Sequence, residues 1–331
     1  MAQATQTAVA ELICFEPACR ARYAITDVLY ACPKCGGLLE ATYDGPQQDP
    51  DQLKRLFRER RMDNSPINQS GVWRYRELMP FLDDYKHVVT LREGNTPLLS
   101  APNAAKYGGL DGVVFKHQGF NPTGSFKDNG MTAGASQARR LGMTRVACVS
   151  TGNTSASMAA YAASAGMEPL IFLPNGKIAF SKLAQALEYG AKTLQVEANF
   201  DQILALIRVL AERLGIYLLN SMNPFRVEGQ KAIMFEMLDQ RDWKVPDWVV
   251  LPGGNLGSRG FALIVLGSVV LWCVSRSQAS MTQPVNSHAS DPVLRIADGR
   301  RKGSGGMPSR LGTSRRRWRT ARAVDPASSS R

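Results

Sequence analysis

The run Asn121-Pro122-Thr123-Gly124-Ser125-Phe126-Lys127-Asp128-Asn129-Gly130 constrains this chain more than any other stretch. It follows the strand-like Val113-Val114-Phe115-Lys116, and from Ser125 onward Phe126, Met131, Ala135 and Ala138 recur at roughly helical spacing. The run therefore reads as a strand-to-helix turn that sets one lysine at the mouth of a helix, boxed in by glycine and small polar residues. Free backbone N–H groups and the positive helix end favour an anion there and lower the cost of deprotonating a nearby amine. Lys127 is thus a candidate covalent catalyst. Stripped of its surroundings it would be an ordinary exposed first-turn lysine.

Two later segments repeat the arrangement with different side chains. The buried-strand pattern Arg145-Val146-Ala147-Cys148-Val149 runs into Ser150-Thr151-Gly152-Asn153-Thr154-Ser155-Ala156-Ser157, a hydroxyl- and amide-rich turn before a small-residue helix from Met158 to Ala165. Asp247-Trp248-Val249-Val250-Leu251 reads as another strand and ends in Pro252-Gly253-Gly254-Asn255-Leu256-Gly257, where glycines would let backbone approach a phosphate closely. Each is weak alone, since glycine turns are often plain loops and Ser/Thr/Asn clusters are often helix caps.

In this order the blocks resemble the pyridoxal-phosphate enzymes of the tryptophan-synthase-β type and, within them, the threonine synthases. A fourth block, Asn220-Ser221-Met222-Asn223-Pro224-Phe225-Arg226-Val227-Glu228-Gly229-Gln230-Lys231, resembles the segment with which those enzymes hold a substrate phosphate. The resemblance covers about residues 12 to 257. It implies an α/β protein of fold type II, with parallel sheets flanked by helices, and pyridoxal 5'-phosphate held as a Schiff base on Lys127. It further implies that Asn153 meets the cofactor's 3-hydroxyl and that Gly253, Gly254, Asn255, Leu256 and Gly257 cup its phosphate. Lys116, Ser150, Thr154, Ser221 and Arg226 fall on the substrate side, where Arg226 can offer a forked donor pair to phosphate. From its own surroundings Arg226 could instead be a helix-start ion pair with Glu228 or another carboxylate. The reaction implied is conversion of O-phosphohomoserine and water to threonine and phosphate, with another fold type II lyase (threonine dehydratase or cysteate synthase) or an inactive homologue as alternatives.

Residues 1–45 carry Cys14-x4-Cys19 and Cys32-Pro33-Lys34-Cys35-Gly36-Gly37, two knuckle-like pairs that read as a zinc-ribbon-like segment. Cys14, Cys19, Cys32 and Cys35 could close a structural tetrahedral zinc site; the alternative is a ribbon of reduced thiols without metal. Similar ribbons precede the catalytic region in many threonine synthases. Residues 46–92 read as a linker and helical lead-in, and 93–260 as an incomplete catalytic region. There strand readings at Pro169–Leu173, Lys192–Val196 and Ile216–Leu219 alternate with helix readings at Ala179–Tyr189, Asn199–Leu214 and Arg226–Asp239. That alternation implies a parallel sheet with ligands at the carboxyl ends of its strands.

After Gly257 the composition changes. Ser258 stands where the resemblance calls for an asparagine, and Phe261–Val274 is an apolar run too short to span a bilayer comfortably, so a core fragment is expected. Residues 261–331 read as a non-family, disordered basic tail, as a frameshift or mis-joined reading would produce, leaving the carboxyl-terminal part of the fold missing. From Ser275 onward 12 basic face 3 acidic residues, so +9 of the formal +12 lies there and the charge of the body makes no case for specific nucleic-acid binding. Met1–Ala10 lacks the basic start and apolar run of a signal peptide, and knuckle-spaced cysteines suit a reducing compartment, so a cytoplasmic, non-membrane protein is expected. A homodimer is compatible with all of this.

Overall fold

The computed structural model describes residues 10–46, 48–175 and 180–250, with the backbone alone described at 180 and 181. Gly253, Gly254, Asn255, Leu256 and Gly257, like Ser258 and the basic tail, lie outside the described residues.

The chain opens with β1 (Glu11–Cys14), β2 (Arg22–Ala24) and β3 (Leu39–Thr42), an antiparallel sheet in the order β2-β1-β3. Helix α1 (Pro50–Met62) follows, capped by the Asp49 carboxylate and buried through Leu53 and Phe57. After the short α2 (Pro66–Gln69), β4 (Leu98–Ser100), α3 (Pro102–Gly108) and β5 (Val114–Lys116) lead to the lysine turn, with β4 and β5 paired antiparallel.

From there strand and helix alternate: α4 (Lys127–Arg140), β6 (Arg145–Val149), α5 (Asn153–Ala165), β7 (Glu168–Pro174), α6 (Phe180–Glu188), β8 (Lys192–Val196), α7 (Phe200–Leu214), β9 (Ile216–Leu218) and α8 (Pro224–Gln240). Strands β6 to β9 form a parallel sheet in the order β8-β7-β6-β9. Its strands have the apolar runs of a sheet covered on both faces. Val146, Cys148, Ile171, Leu173, Tyr217 and Leu219 pack toward α4, α5 and α6, whereas Ala147, Val149, Phe172, Ile216 and Leu218 pack toward α7. The α5 helix suits its position because alanines and serines at its buried positions let it lie close to α4. A reciprocal Asn199–Gln202 capping box starts α7, which buries Ile203, Ile207 and Ala211 at helical spacing.

The predicted strand at 247–251 is not a strand over its described part. Trp248 and Val250 are exposed and Val249 is buried, which is a strand's alternation, but the residues into which it leads lie outside the described part.

The closest helix–helix approach sets the geometry of the site. At the crossing of α4 and α8 a Cβ on Gly229 would lie 2.0 Å from the Asn129 carbonyl oxygen, and one on Gly130 would lie 2.6 Å from that of Arg226. Glycine at both positions lets the backbones touch, which brings the start of α8 against the first turn of α4.

Candidate active site

Lys127 is the first residue of α4, so the helix starts two residues later than the spacing from Ser125 predicts. A 3-10 turn over Gln118–Phe120 separates β5 from the turn itself. Gly124 adopts φ +79°, which a side chain disfavours, and its N–H donates to the Asn121 carbonyl at 2.8 Å. The turn is held from beneath by Asp128, which is fully buried. Its carboxylate accepts from the Thr123 N–H at 2.7 Å, the Thr123 hydroxyl at 2.6 Å and the Ser157 hydroxyl of α5 at 2.6 Å. Burial pushes the Asp128 carboxyl upward against the pull of those donors.

The Lys127 ammonium lies 4.2 Å from the centroid of the Phe126 ring. Burial, reinforced by the cation of Arg226, draws its pKa down from 10.5 to about 8. A lysine so tuned supplies free amine near neutrality, as a covalent catalyst must.

Arg226 is 1 % exposed. One Nη donates to the Leu219 carbonyl at 2.9 Å, Nε has no hydrogen-bond partner, and no carboxylate among the described residues forms an ion pair with the guanidinium. Burial lowers its pKa to about 10. Glu228 does not serve it: that carboxylate is taken by Lys231 and by the Tyr43 hydroxyl, both at 2.6 Å, so the reading of Arg226 as a helix-start ion pair is overturned. A buried cation without its counter-charge is costly, and an anion arriving beside it would remove that cost.

The other candidates gather at the carboxyl ends of adjacent strands. Ser150 and Thr154 are half-buried after β6, Asn153 is exposed at the first position of α5, and Ser221 is exposed after β9. Asn220 ties the two strand ends together, since its side chain accepts from the Val149 N–H and donates to the Val149 carbonyl, each at 3.1 Å. Lys116 is engaged elsewhere. Its ammonium contacts Glu236 at 2.6 Å, the Thr96 carbonyl at 2.6 Å and Gln240 at 2.8 Å, which occupies all three donors in fastening β5 to α8.

Sequence reasoning passed over Asp128, Asn220 and Lys182. The last reaches from α6 to the lysine turn, where its ammonium donates to the Thr123 carbonyl at 3.1 Å and lies 3.9 Å from where a Cβ on Gly124 would be. A long-range contact of this kind leaves no local pattern. The acidic residue following Lys127 was visible, but its burial was not.

The arrangement fits an anionic aldehyde cofactor: an amine near neutral, an unpaired buried guanidinium and three helix N-termini, those of α4, α5 and α8, on the sheet's carboxyl side. At the other end of the chain the Sγ atoms of Cys14, Cys19, Cys32 and Cys35 all lie within 4.8 Å of one another, with Cys14–Cys35 at 3.4 Å and Cys19–Cys32 at 3.7 Å. Tetrahedral zinc–thiolate bonds require sulfur separations of roughly 3.8 Å, so the cluster fits zinc. Gly37 is packed against it; a Cβ there would meet the Cys35 sulfur at 3.3 Å and the Cys14 sulfur at 3.4 Å.

Comparison with known proteins places the chain in a family. The family model described as pyridoxal-phosphate dependent enzyme matches residues 89–260, just over half of the chain. The threonine synthase of Methanocaldococcus jannaschii is 48% identical over 240 residues, which are 72% of this chain and 57% of that protein. That of Methanosarcina acetivorans is 47% identical over 247 residues, 75% of this chain and 57% of that protein. The chain thus spans little more than half the length of these relatives. Among solved structures, apo diaminopropionate ammonia lyase of Escherichia coli aligns over 68% of this chain and 63% of its own, with a TM-score of 0.50 at 18% identity, a likeness of fold.

Proposed function

Because the chain belongs to the pyridoxal-phosphate dependent enzymes, we propose that its site is that of a threonine synthase, converting O-phosphohomoserine and water to threonine and phosphate. The observation that carries this reading is the unpaired guanidinium of Arg226, buried beside the catalytic lysine where a substrate phosphate would supply its counter-charge. Pyridoxal phosphate, when bound, supplies the electron sink for loss of the α-proton.

Lys127 would hold the cofactor, and its amine would carry protons between the substrate carbons. Asn153, on the first turn of α5, would bind the cofactor ring. Ser150 and Thr154 on one strand end and Ser221 and Arg226 on the next bind the oxygens of the substrate, with Arg226 and the helix ends favouring phosphate over an uncharged leaving group. Gly253, Gly254, Asn255, Leu256 and Gly257 are proposed as the cofactor-phosphate cup on the strength of sequence alone. Lys116 is left out of the substrate set because Glu236 holds it. Cys14, Cys19, Cys32 and Cys35 would hold zinc in a structural role.

The test is borohydride reduction of the purified chain with pyridoxal phosphate, followed by peptide mapping and by assays of phosphate and threonine formed from O-phosphohomoserine. Label should fix on Lys127, and Lys127→Ala should lose both label and several orders of magnitude of turnover. Ketoacid formation from threonine, with no phosphate released from O-phosphohomoserine, would point to a dehydratase instead.

A further inference from the structure

The amino-terminal cysteine segment is built into the wall of the catalytic core. Leu12, Cys14, Ile25, Cys32, Leu39 and Ala41 share one continuous apolar cluster with Trp73, Ala133 of α4 and Phe225, Ala232 and Phe235 of α8. Polar ties fall on the same two helices and on β9. The Gln137 side-chain amide of α4 donates to the Ile25 carbonyl at 2.9 Å in the interior. The Tyr43 hydroxyl donates to Glu228 of α8 at 2.6 Å, the residue immediately before Gly229 at the crossing. Tyr30 packs its ring on Tyr217, with centroids 5.9 Å apart, and its hydroxyl accepts from the Leu218 N–H at 2.7 Å.

These contacts point at the two elements that carry Lys127 and Arg226. The segment between the cysteine pairs, 20–31, contains both Ile25 and Tyr30, and β3, held by the second knuckle, leads directly to Tyr43. Closing the thiol cluster therefore fixes three anchors on α4, β9 and α8 at once. At the α4–α8 crossing the backbones touch at Gly229 and Gly130, with the Gln230 and Ala133 side chains beside them, so a shift of either helix passes directly to Arg226.

We propose that metal in the Cys14–Cys19–Cys32–Cys35 cluster is thermodynamically linked to the anion site: zinc binding holds α4 and α8 in the spacing at which Arg226 receives phosphate, and raises phosphate affinity. Tyr43 and Gln137 are the positioning residues through which the link runs. The inference rests on the reading of Arg226 as an anion-binding residue. Linkage is reciprocal, so phosphate must raise zinc affinity by the same factor.

Isothermal titration of the full chain with inorganic phosphate, zinc-loaded and chelator-stripped, tests this alongside hydrogen–deuterium exchange of α4 and α8. Zinc should tighten phosphate binding about fivefold or more, within the usual range of coupling between sites, and slow exchange in both helices. Because stripping could unfold the segment, the double variant Tyr43→Phe/Gln137→Met is compared with wild type while both are zinc-loaded, and its phosphate affinity should fall about fivefold or more, toward that of the stripped protein. Phosphate affinity that does not change with zinc overturns the link, as does wild-type phosphate affinity in the zinc-loaded double variant. Absence of phosphate binding in every form, with zinc still slowing exchange in α4 and α8, would instead overturn the role given to Arg226 while supporting transmission from cluster to helices.

Discussion

Lys127 and Arg226 are both cations drawn below their ordinary pKa by burial, and for Lys127 the nearby guanidinium of Arg226 is a second cause. For Lys127 the larger part is burial, so removing Arg226 relieves only the smaller. In wild-type protein the reactive free amine should increase through a midpoint near pH 8, because below it Lys127 is protonated and above it neutral. Arg226→Met should move that midpoint to higher pH, short of the ordinary lysine value because burial persists, and should weaken inorganic phosphate binding by at least tenfold. The pH dependence of borohydride-fixed cofactor label on Lys127 measures the first effect. An unmoved midpoint would mean that the guanidinium does not act on the amine.

At the scale of elements, two fastenings hold the helices that present these groups. The first is the glycine crossing. Gly229→Ala would drive a methyl to 2.0 Å from the Asn129 oxygen, so α8 must retreat from α4; the cost should reach about 3 kcal/mol, at the upper end of ordinary overpacking. Urea unfolding would show it, and Gly142→Ala is a useful contrast, since nothing lies within 4 Å there and only its φ of +68° is penalised. The second fastening is Lys116–Glu236, whose side chains are 11% and 2% exposed. Lys116→Met leaves a buried carboxylate with only the Asn95 and Thr96 donors, and should cost about 3–5 kcal/mol. A loss of that size in stability, with phosphate affinity reduced no more than a few-fold, would confirm that Lys116 works as a strap between β5 and α8.

For the whole molecule, the shared apolar cluster makes the cysteine segment and the catalytic core candidates for one cooperative unit. Replacing Cys32 and Cys35 with serine should abolish zinc binding and lower the main calorimetric transition itself. An independent low-temperature transition, with the main one unshifted, would show that the segment melts alone. Among the described residues no helix is long and apolar enough to cross a membrane.

What could be read from the sequence was local. The lysine turn, the hydroxyl-rich turn after Val149 and the segment around Arg226 each announce themselves within about a dozen residues, because glycine, capping residues and apolar spacing dictate backbone geometry at short range. The alternation of strand and helix from 127 to 240 was legible for the same reason, as was the spacing of the cysteines. The tertiary structure alone decided how charges pair. Lys116 and Arg226 look alike as substrate ligands in sequence, yet Glu236, 120 residues from Lys116, neutralises the first, while Glu228, two residues from Arg226, turns to Tyr43 and Lys231 and leaves the second without a carboxylate partner among the described residues. Burial and partnership depend on which distant segments meet, and that information is spread over the whole packing of α4, α8 and the cysteine segment rather than written at any one position.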